Sequence, residues 1–442
     1  LNVNAFTKKE TKGLLARLSW ARDNLEFHSI TSYRELDTDE LDDLDGSSLD
    51  ILRFLANEES DQFSQELRFS YTTERLNLLL GAYYSKEEAM REDSLRYGAD
   101  DFLATLFASL GLPGLDWTQD IEATSYAVFG QLEYSISDNT SFVLGLRQSR
   151  DEKEGQLSGA GLAAFGLGDY LADIDDDWDS FDPMISFRYH LTDEVMTYVT
   201  WASGYKSGAL QYLAILPAAA QVSAAPEESE NVEIGLKGTF FDRTLRLNAA
   251  AFRTQIEDLQ ALRVEPGSLI GVPVISNTGD ATIEGFEVEG EYILSENISV
   301  DFNYAYLDAT YDTFVTQFGD QRGNTLPRSP EHSWGVSVNT YHNVGSGQLL
   351  GRIGYSWRDE VFFEADNGEL NAESGEGSIE FLDASLNYEV ENWTIGVYGR
   401  NLTDERYVRS SFVTDGSGIA AAQVWSEPRT YGLRLKYNLG ER

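Results

Sequence analysis

The chain has 442 residues and no cysteine, and 74 acidic against 33 basic side chains leave a net charge of −41. That composition excludes disulfide frameworks and thiolate metal sites, and it argues against nucleic acid as a partner, since phosphates would be repelled. No apolar run reaches the ~18 residues of a transmembrane helix, while 23 Phe, 23 Tyr and 38 Gly favour strands over helix bundles.

A mean hydropathy of −0.34 is compatible with a spanning barrel, in which only alternate residues face lipid. The opening, LNVNAFTKKETKG, lacks the apolar core of a signal peptide. An exported form of the chain is therefore expected to begin upstream of Leu1.

In chain order, Leu14–Arg22 alternates, Asp23-Asn24 turns it, and Leu25–Tyr33 returns. A long acidic loop is expected over LDTDELDDLDGSSLD. Gln65–Tyr71 sets Leu67, Phe69 and Tyr71 against Glu66, Arg68 and Ser70. A tight turn at Thr72–Glu74 then leads into Leu76, Leu78, Leu80, Ala82 and Tyr84. From about Lys86 to Gln119 the sequence reads as a second long loop, with a short helix over DDFLATLFASLG from its apolar spacing.

Tyr126 to Tyr134, a turn at Ser137–Thr140, and Phe142 to Leu146 repeat the pattern. A third long loop, Gly155 to Trp178, ends in DIDDDWD. Five further turns are expected: Leu191–Glu194, Phe241–Arg243, Ser295–Asn297, Asn343–Gly347 and Glu389–Asn392, followed by the closing strand. In that last strand Arg429, Tyr431, Leu433, Leu435, Tyr437 and Leu439 share one face, and Thr430, Gly432, Arg434, Lys436 and Asn438 the other. Period two throughout, with short turns alternating with long polar loops, predicts an all-β, antiparallel transmembrane barrel. About seventeen strands in one up-and-down series are too many for a sandwich.

Several stretches resemble the β-barrel of TonB-dependent outer-membrane receptors. They are SQELRFS (Ser64–Ser70), SYAVFGQLEYSISDN (Ser125–Asn139), YVTWASGYKSGALQ (Tyr198–Gln211) and PEESENVEIGLKGTFFDRTLRLNAAAFRTQIEDLQ (Pro226–Gln260). NTGDATIEGFEVEGEY (Asn277–Tyr292), GNTLPRSPEHSW (Gly323–Trp334), YGRNLTDERY (Tyr398–Tyr407) and EPRTYGLRLKYNL (Glu427–Leu439) follow in the family's order. The resemblance is closest to the siderophore-receptor group. It implies a 22-stranded barrel with a plugged lumen, of which residues 1–442 supply the C-terminal barrel portion, with the plug, the TonB box and roughly five strands lying outside them.

The resemblance further implies a protein of the Gram-negative outer membrane, energised by the TonB–ExbB–ExbD complex, inserted by the barrel-assembly machinery and importing a ferric siderophore, with no cofactor and no catalysis. Leu439 stands where the family's terminal aromatic residue stands. The alternatives are a passive porin-like channel, an adhesin, or TonB-driven uptake of cobalamin or oligosaccharide. The last strand is expected to present an unpaired edge, because its barrel partner is not among these residues.

No G-x-S-x-G, Walker A or H-E-x-x-H is present, and the four histidines are scattered. The candidates for ligand contact are aromatic residues expected in loops, Trp178, Tyr205, Phe362, Phe363 and Trp425, which offer rings for stacking. Arg328 and Arg358 are candidates to pair with an anionic chelate. Interfacial girdle or loop packing is the plainer reading of each. The acidic runs Asp37–Asp45 and Asp173–Asp179 offer carboxylates for Ca²⁺, though solvated acidic loops explain them as simply. Glu287, Glu289 and Glu291 are expected on the luminal face, with Arg246, Arg352, Arg434 and Lys436 as partners.

Overall fold

The computed structural model describes residues 3–43, 48–100, 114–161, 168–211, 219–264, 273–316, 319–369, 374–413 and 421–439. Among these residues there are 22 strands. The first twelve are β1 (Phe6–Arg22), β2 (Leu25–Asp43), β3 (Leu52–Thr72), β4 (Leu76–Tyr97), β5 (Gly114–Ser137), β6 (Thr140–Ala160), β7 (Tyr170–Thr192), β8 (Val195–Lys206), β9 (Glu227–Phe240), β10 (Leu245–Val264), β11 (Pro273–Ser295) and β12 (Ile298–Thr316). The remainder are β13 (Gly319–Asp320), β14 (His332–Val344), β15 (Gly347–Arg358), β16 (Val361–Phe362), β17 (Gly375–Glu376), β18 (Ile379–Val390), β19 (Trp393–Arg400), β20 (Val408–Val413), β21 (Ala421–Trp425) and β22 (Thr430–Tyr437).

Seventeen long strands form one antiparallel wall, each paired with its neighbour in chain order. The short strands sit beyond the wall, as a β16–β17 hairpin, a β20–β21 hairpin, and β13 folded back on β12. The expected helix over DDFLATLFASLG spans residues 100–111, of which all but Asp100 lie outside the described residues.

The pairing register sorts the side chains. Trp20, Phe27, Phe69 and Leu80 stand in one cross-strand row on the outer face. Val128, Ile234 and Ile353 on that face are 61, 58 and 59 % exposed, the state of residues that lipid would cover. One residue along each strand, the side chains point inward and are small or polar, as with Ser186, Ser337, Asn339 and Thr394, all buried on the concave side. Aromatic rings close the apolar band. On one side Phe63, Tyr84 and Tyr126 stack edgewise in series, at 6.3 and 5.3 Å. On another, Phe286, Tyr304, Trp334 and Trp357 do the same work.

Three expected loops are largely strand. Asp37–Asp43 belongs to β2, Lys86–Tyr97 to β4, Gly114–Gln119 to β5, Gly155–Ala160 to β6 and Tyr170–Trp178 to β7. The reason is length. The 21 residues of β3 span roughly 70 Å at ~3.3 Å per residue. Even tilted they rise about 50 Å, twice the ~25 Å apolar band. Past the aromatic rings the apolar alternation stops, but the backbone ladder does not need it and runs on.

There the polarity of the two faces reverses. Outward positions become charged: Lys86 bridges Glu88 and Glu122 at 2.7 and 2.9 Å, and Arg150 bridges Glu152, Asp177 and Asp179 at 2.8, 3.1 and 3.3 Å. Inward positions become apolar. Leu157, Ala172 and Ala220 pack with Ile121, Tyr170 and Ile174, and Leu115 and Trp117 pack with Phe54 and Leu95.

Among the described residues, the last strand pairs with β19 alone, over Thr430–Tyr437, and β1 pairs with β2 alone. Leu433 and Leu439 are 86 and 93 % exposed, and every residue of β1 is exposed. The sheet therefore carries an open edge on each side, as expected for the closing strand.

The outward assignment of Leu132 and the inward assignment of Gln131 set a test. Placed in lipid vesicles, Leu132→Arg is expected to cost about 2–4 kcal/mol of unfolding free energy by urea titration. Gln131→Arg, one residue along and facing the lumen, is expected to cost under about 1 kcal/mol. Equal costs would overturn the assignment of faces.

Candidate functional site

The short turns gather one end of every hairpin and the long connections the other, so the molecule has a plain rim and an elaborate mouth. Several turns use left-handed residues, Asp23 at φ 51° and Glu391 at φ 50° among them. Two regions carry the chemistry: the luminal wall below and the mouth above.

The luminal wall surrounds a cavity of about 620 Å³ lined chiefly by β10–β22. Its charges are paired across strands. Arg352 donates to Asp301 at 3.1 Å and to the side-chain Oδ1 of Asn339 at 3.0 Å. Asn339 and Ser337 donate to the same Asp301 carboxylate at 2.9 and 3.3 Å. Arg246 lies 3.8 Å from Glu291, and Asn248 donates to Glu289 at 2.8 Å. The guanidiniums of Arg400 and Arg434 both lie over the Tyr398 ring, 5.7 and 5.8 Å from its centroid. The expected Arg246–Glu291 pairing is present. Arg352 instead takes Asp301, because the register sets Asp301 opposite Ser337, one strand from Arg352. Arg434 takes an aromatic face in place of a carboxylate. The surface is polar, and these contacts hold its charged side chains in place.

At the mouth the seven candidate residues fall into two groups. The first holds Trp178 and Tyr205, in β7 and β8 rather than in loops. Trp178 pairs across strands with Asp151, and the Tyr205 hydroxyl donates to that carboxylate. Lys153 lies 5.7 Å over the Trp178 ring and donates to the Gly208 carbonyl at 2.7 Å. Burial pulls the Lys153 ammonium below its usual range, against the pull of Asp151 and Glu87. Gly208 is required by contact. A Cβ there would stand 2.3 Å from the Trp178 ring. The segment Ser207–Gln211 that follows β8 is thus folded inward against the wall. It is pinned further by Gln211, which exchanges two hydrogen bonds with the Ile275 backbone at 2.6 and 2.8 Å.

The second group holds Arg328, Arg358, Phe362, Phe363 and Trp425. Arg328, at φ 61°, donates its backbone N–H to the Phe362 carbonyl at 2.8 Å. Its guanidinium lies 5.8 Å over Phe363 and donates to Ser410 Oγ at 3.0 Å. Arg358 ends β15, half-buried, and donates to the Asp359 carbonyl at 2.9 Å. Trp425 pairs with Val408 in the β20–β21 hairpin and remains 51 % exposed. Phe362 lies in β16 and Trp425 in β21, so of this group only Arg328 and Phe363 are in loops.

Sequence reasoning did not single out Lys153, Gly208, Ser410, Tyr398 or the buried Asp93, which Arg91 and Gln119 hold at 3.0 and 3.2 Å. Lys153 carried a signal: it is the one basic residue in the inward phase of DEKEG. Burial raises the Asp93 carboxyl, opposed by Arg91. Among the described residues, no three side chains of metal-ligating type come together.

The family model described as "TonB dependent receptor-like, beta-barrel" matches residues 2–402. The chain is 27 % identical to the pesticin receptor of Yersinia enterocolitica over 329 residues, 74 % of this chain and 45 % of that protein. It is 27 % identical to the probable TonB-dependent siderophore receptor PiuA of Acinetobacter baumannii, over 69 % of this chain and 40 % of the relative. The chain thus spans less than half the length of these curated relatives. The crystal structure of the ferric yersiniabactin uptake receptor FyuA from Yersinia pestis superposes with a TM-score of 0.82 at 22 % identity, covering 99 % of this chain and 62 % of that one, a likeness of fold.

The Trp178 cluster can be tested directly. Trp178→Ala removes the ring that Lys153 and Gly208 rest on, a contact worth about 1–2 kcal/mol. Exchange of the Ala209 and Ala224 amides, which pair with each other's carbonyls at 3.1 and 2.8 Å, is expected to speed by roughly tenfold. Trp178→Phe is expected to recover most of the protection.

Proposed function

Because the chain belongs to the TonB-dependent receptor family, barrels of the Gram-negative outer membrane and not enzymes, we propose that it forms most of the wall of a receptor that captures a ferric siderophore and imports it with energy from TonB. The observation that carries the proposal is the family match over residues 2–402. The siderophore half is supported by the named relatives, a pesticin receptor and a probable siderophore receptor.

The luminal wall is where a plug domain seats. Its paired Asp301–Arg352 and Glu291–Arg246 groups offer hydrogen-bonding partners of both signs without a net demand for one. Strands and a plug contributed from outside these 442 residues close the gap between β1 and β22, whose outer edges are otherwise unpaired. At the mouth, Trp425 is the proposed stacking contact for the ligand, since its ring is half open, whereas Trp178, Tyr205, Arg328 and Arg358 are already engaged within the protein. The Arg328 guanidinium covers the Phe363 ring, which leaves Phe362 as the second aromatic candidate on that side.

The test is uptake. The intact receptor, expressed in a Gram-negative host stripped of its own siderophore receptors, is expected to support entry of radiolabelled iron from at least one of a panel of ferric catecholates, hydroxamates and carboxylates. Entry is expected to fall to background without TonB or with a protonophore. Energy-independent conductance in planar bilayers would replace the reading with a passive channel. Uptake of cobalamin or an oligosaccharide, with none of iron, would keep the TonB mechanism and overturn the ligand.

A further inference from the structure

Three connections at the mouth, those between β12 and β14, between β15 and β18, and between β19 and β22, touch each other in a closed triangle. The first side joins the β12–β14 and β15–β18 connections. Asn367 donates to the Thr325 carbonyl at 2.8 Å and accepts from the Thr325 N–H at 2.7 Å, an amide pairing that copies a sheet ladder. Asn324 donates to the Ala365 carbonyl at 3.0 Å, and Arg328 N–H to the Phe362 carbonyl at 2.8 Å. The second side joins β15–β18 to β19–β22: the Val408 N–H donates to Glu376 Oε2 at 2.5 Å. The third side is the Arg328 guanidinium on Ser410 at 3.0 Å. Arg328 therefore belongs to two sides of the triangle, and its guanidinium lies over Phe363 as it spans them.

We infer that these three connections form one interlocked cap over β12–β19, with Arg328 as its positioning residue, so that this side of the mouth presents a single body and not three independent loops. The physical basis is redundancy. Each side of a triangle is held indirectly by the other two, so cutting one tie leaves the loops linked, and cutting two frees a vertex. Among the described residues, the loop between β19 and β22 is the vertex with the fewest hydrogen-bonded ties to the other two connections, one through Glu376 and one through Arg328. Arginine suits the position because its planar fork covers an aromatic face and still donates at its edge. The positive φ at Arg328 shows that the surroundings hold an uncommon backbone conformation there to aim that side chain. The cap's bearing on ligand capture rests on the receptor reading above. Its geometry does not, and the experiment reads geometry alone.

These 442 residues contain no cysteine, so cysteines introduced among them label the barrel portion alone once any cysteine elsewhere in the intact receptor is replaced by serine. Spin labels at Arg322→Cys, Glu369→Cys and Arg409→Cys, all exposed, place one probe on each connection for pairwise distance distributions. Arg328→Gly removes the side chain while accommodating the backbone angle, and Glu376→Gln weakens the second tie. Each single variant is expected to broaden the 322–409 and 369–409 distributions less than about 1.5-fold. The double variant is expected to broaden both at least about threefold, more than the two single effects together, while the 322–369 distribution stays narrow. Arg328→Lys in the Glu376→Gln background is expected to restore part of the narrowing. Full broadening from either single variant, or a double effect equal to the sum of the singles, would show the loops to be independent and overturn the cap. Should the Gly variant fail to insert, the Lys comparison carries the same decision.

Discussion

Every feature of this protein depends on one constraint: in hydrocarbon, a backbone N–H or C=O has no water to bond, so each must find a partner within the polypeptide. An antiparallel ladder is the solution taken here. Once the ladder exists, side chains alternate between two faces by geometry alone. Leu, Val and aromatic residues on one face and Ser, Asn, Glu and Arg on the other then follow from what each face meets. The same constraint explains why β1 and β22 stand out. Their outer edges hold unbonded groups at the depth of the lipid band, a condition that a membrane barrel relieves only by closure.

The ladder is also more permissive than the lipid band. It continues through residues that no apolar pattern marks, carrying β3 to β7 far past the aromatic rings. What changes at the rings is the solvent, and the two faces exchange roles. Outside, Lys86 and Arg150 sit among carboxylates in water. Inside, Leu115, Trp117 and Leu157 make a small dry core. One strand thus serves as membrane wall in its lower half and as the sheet of a water-exposed domain in its upper half. The strongly negative charge of the chain resides largely in that upper half, where a high charge is tolerated because it is solvated.

The mouth shows how side chains of apparent ligand-binding type are spent on architecture. Arg328, Tyr205 and Trp178 have the chemistry to bind an anion or stack on a ring, and each uses it on its own protein. Arg328 ties two loops, Tyr205 meets Asp151, and Trp178 carries Lys153 and Gly208. Composition of a loop therefore says little about ligand contact, and Trp425 is proposed as one on the exposure of its ring.

Sequence by itself determined the membrane-spanning half. The alternation from Leu76 to Tyr84, Tyr126 to Tyr134 and Arg429 to Leu439, with turns at Asp23-Asn24 and Glu389–Asn392, specified an antiparallel barrel wall of about seventeen strands. It did so because lipid on one side and water on the other impose a two-residue period that local composition records. The open closing edge was also legible, since Tyr431, Leu433 and Leu435 need a partner strand that this stretch of chain does not supply. Only the tertiary structure decided where the strands end, which carboxylate Arg352 meets, and how Arg328, Phe363 and Ser410 come together. The ends of β2 to β7 are held by backbone bonds, which leave no trace in side-chain pattern. The Arg328–Ser410 contact joins residues far apart in the chain, set by the curvature of the sheet, which no local period encodes.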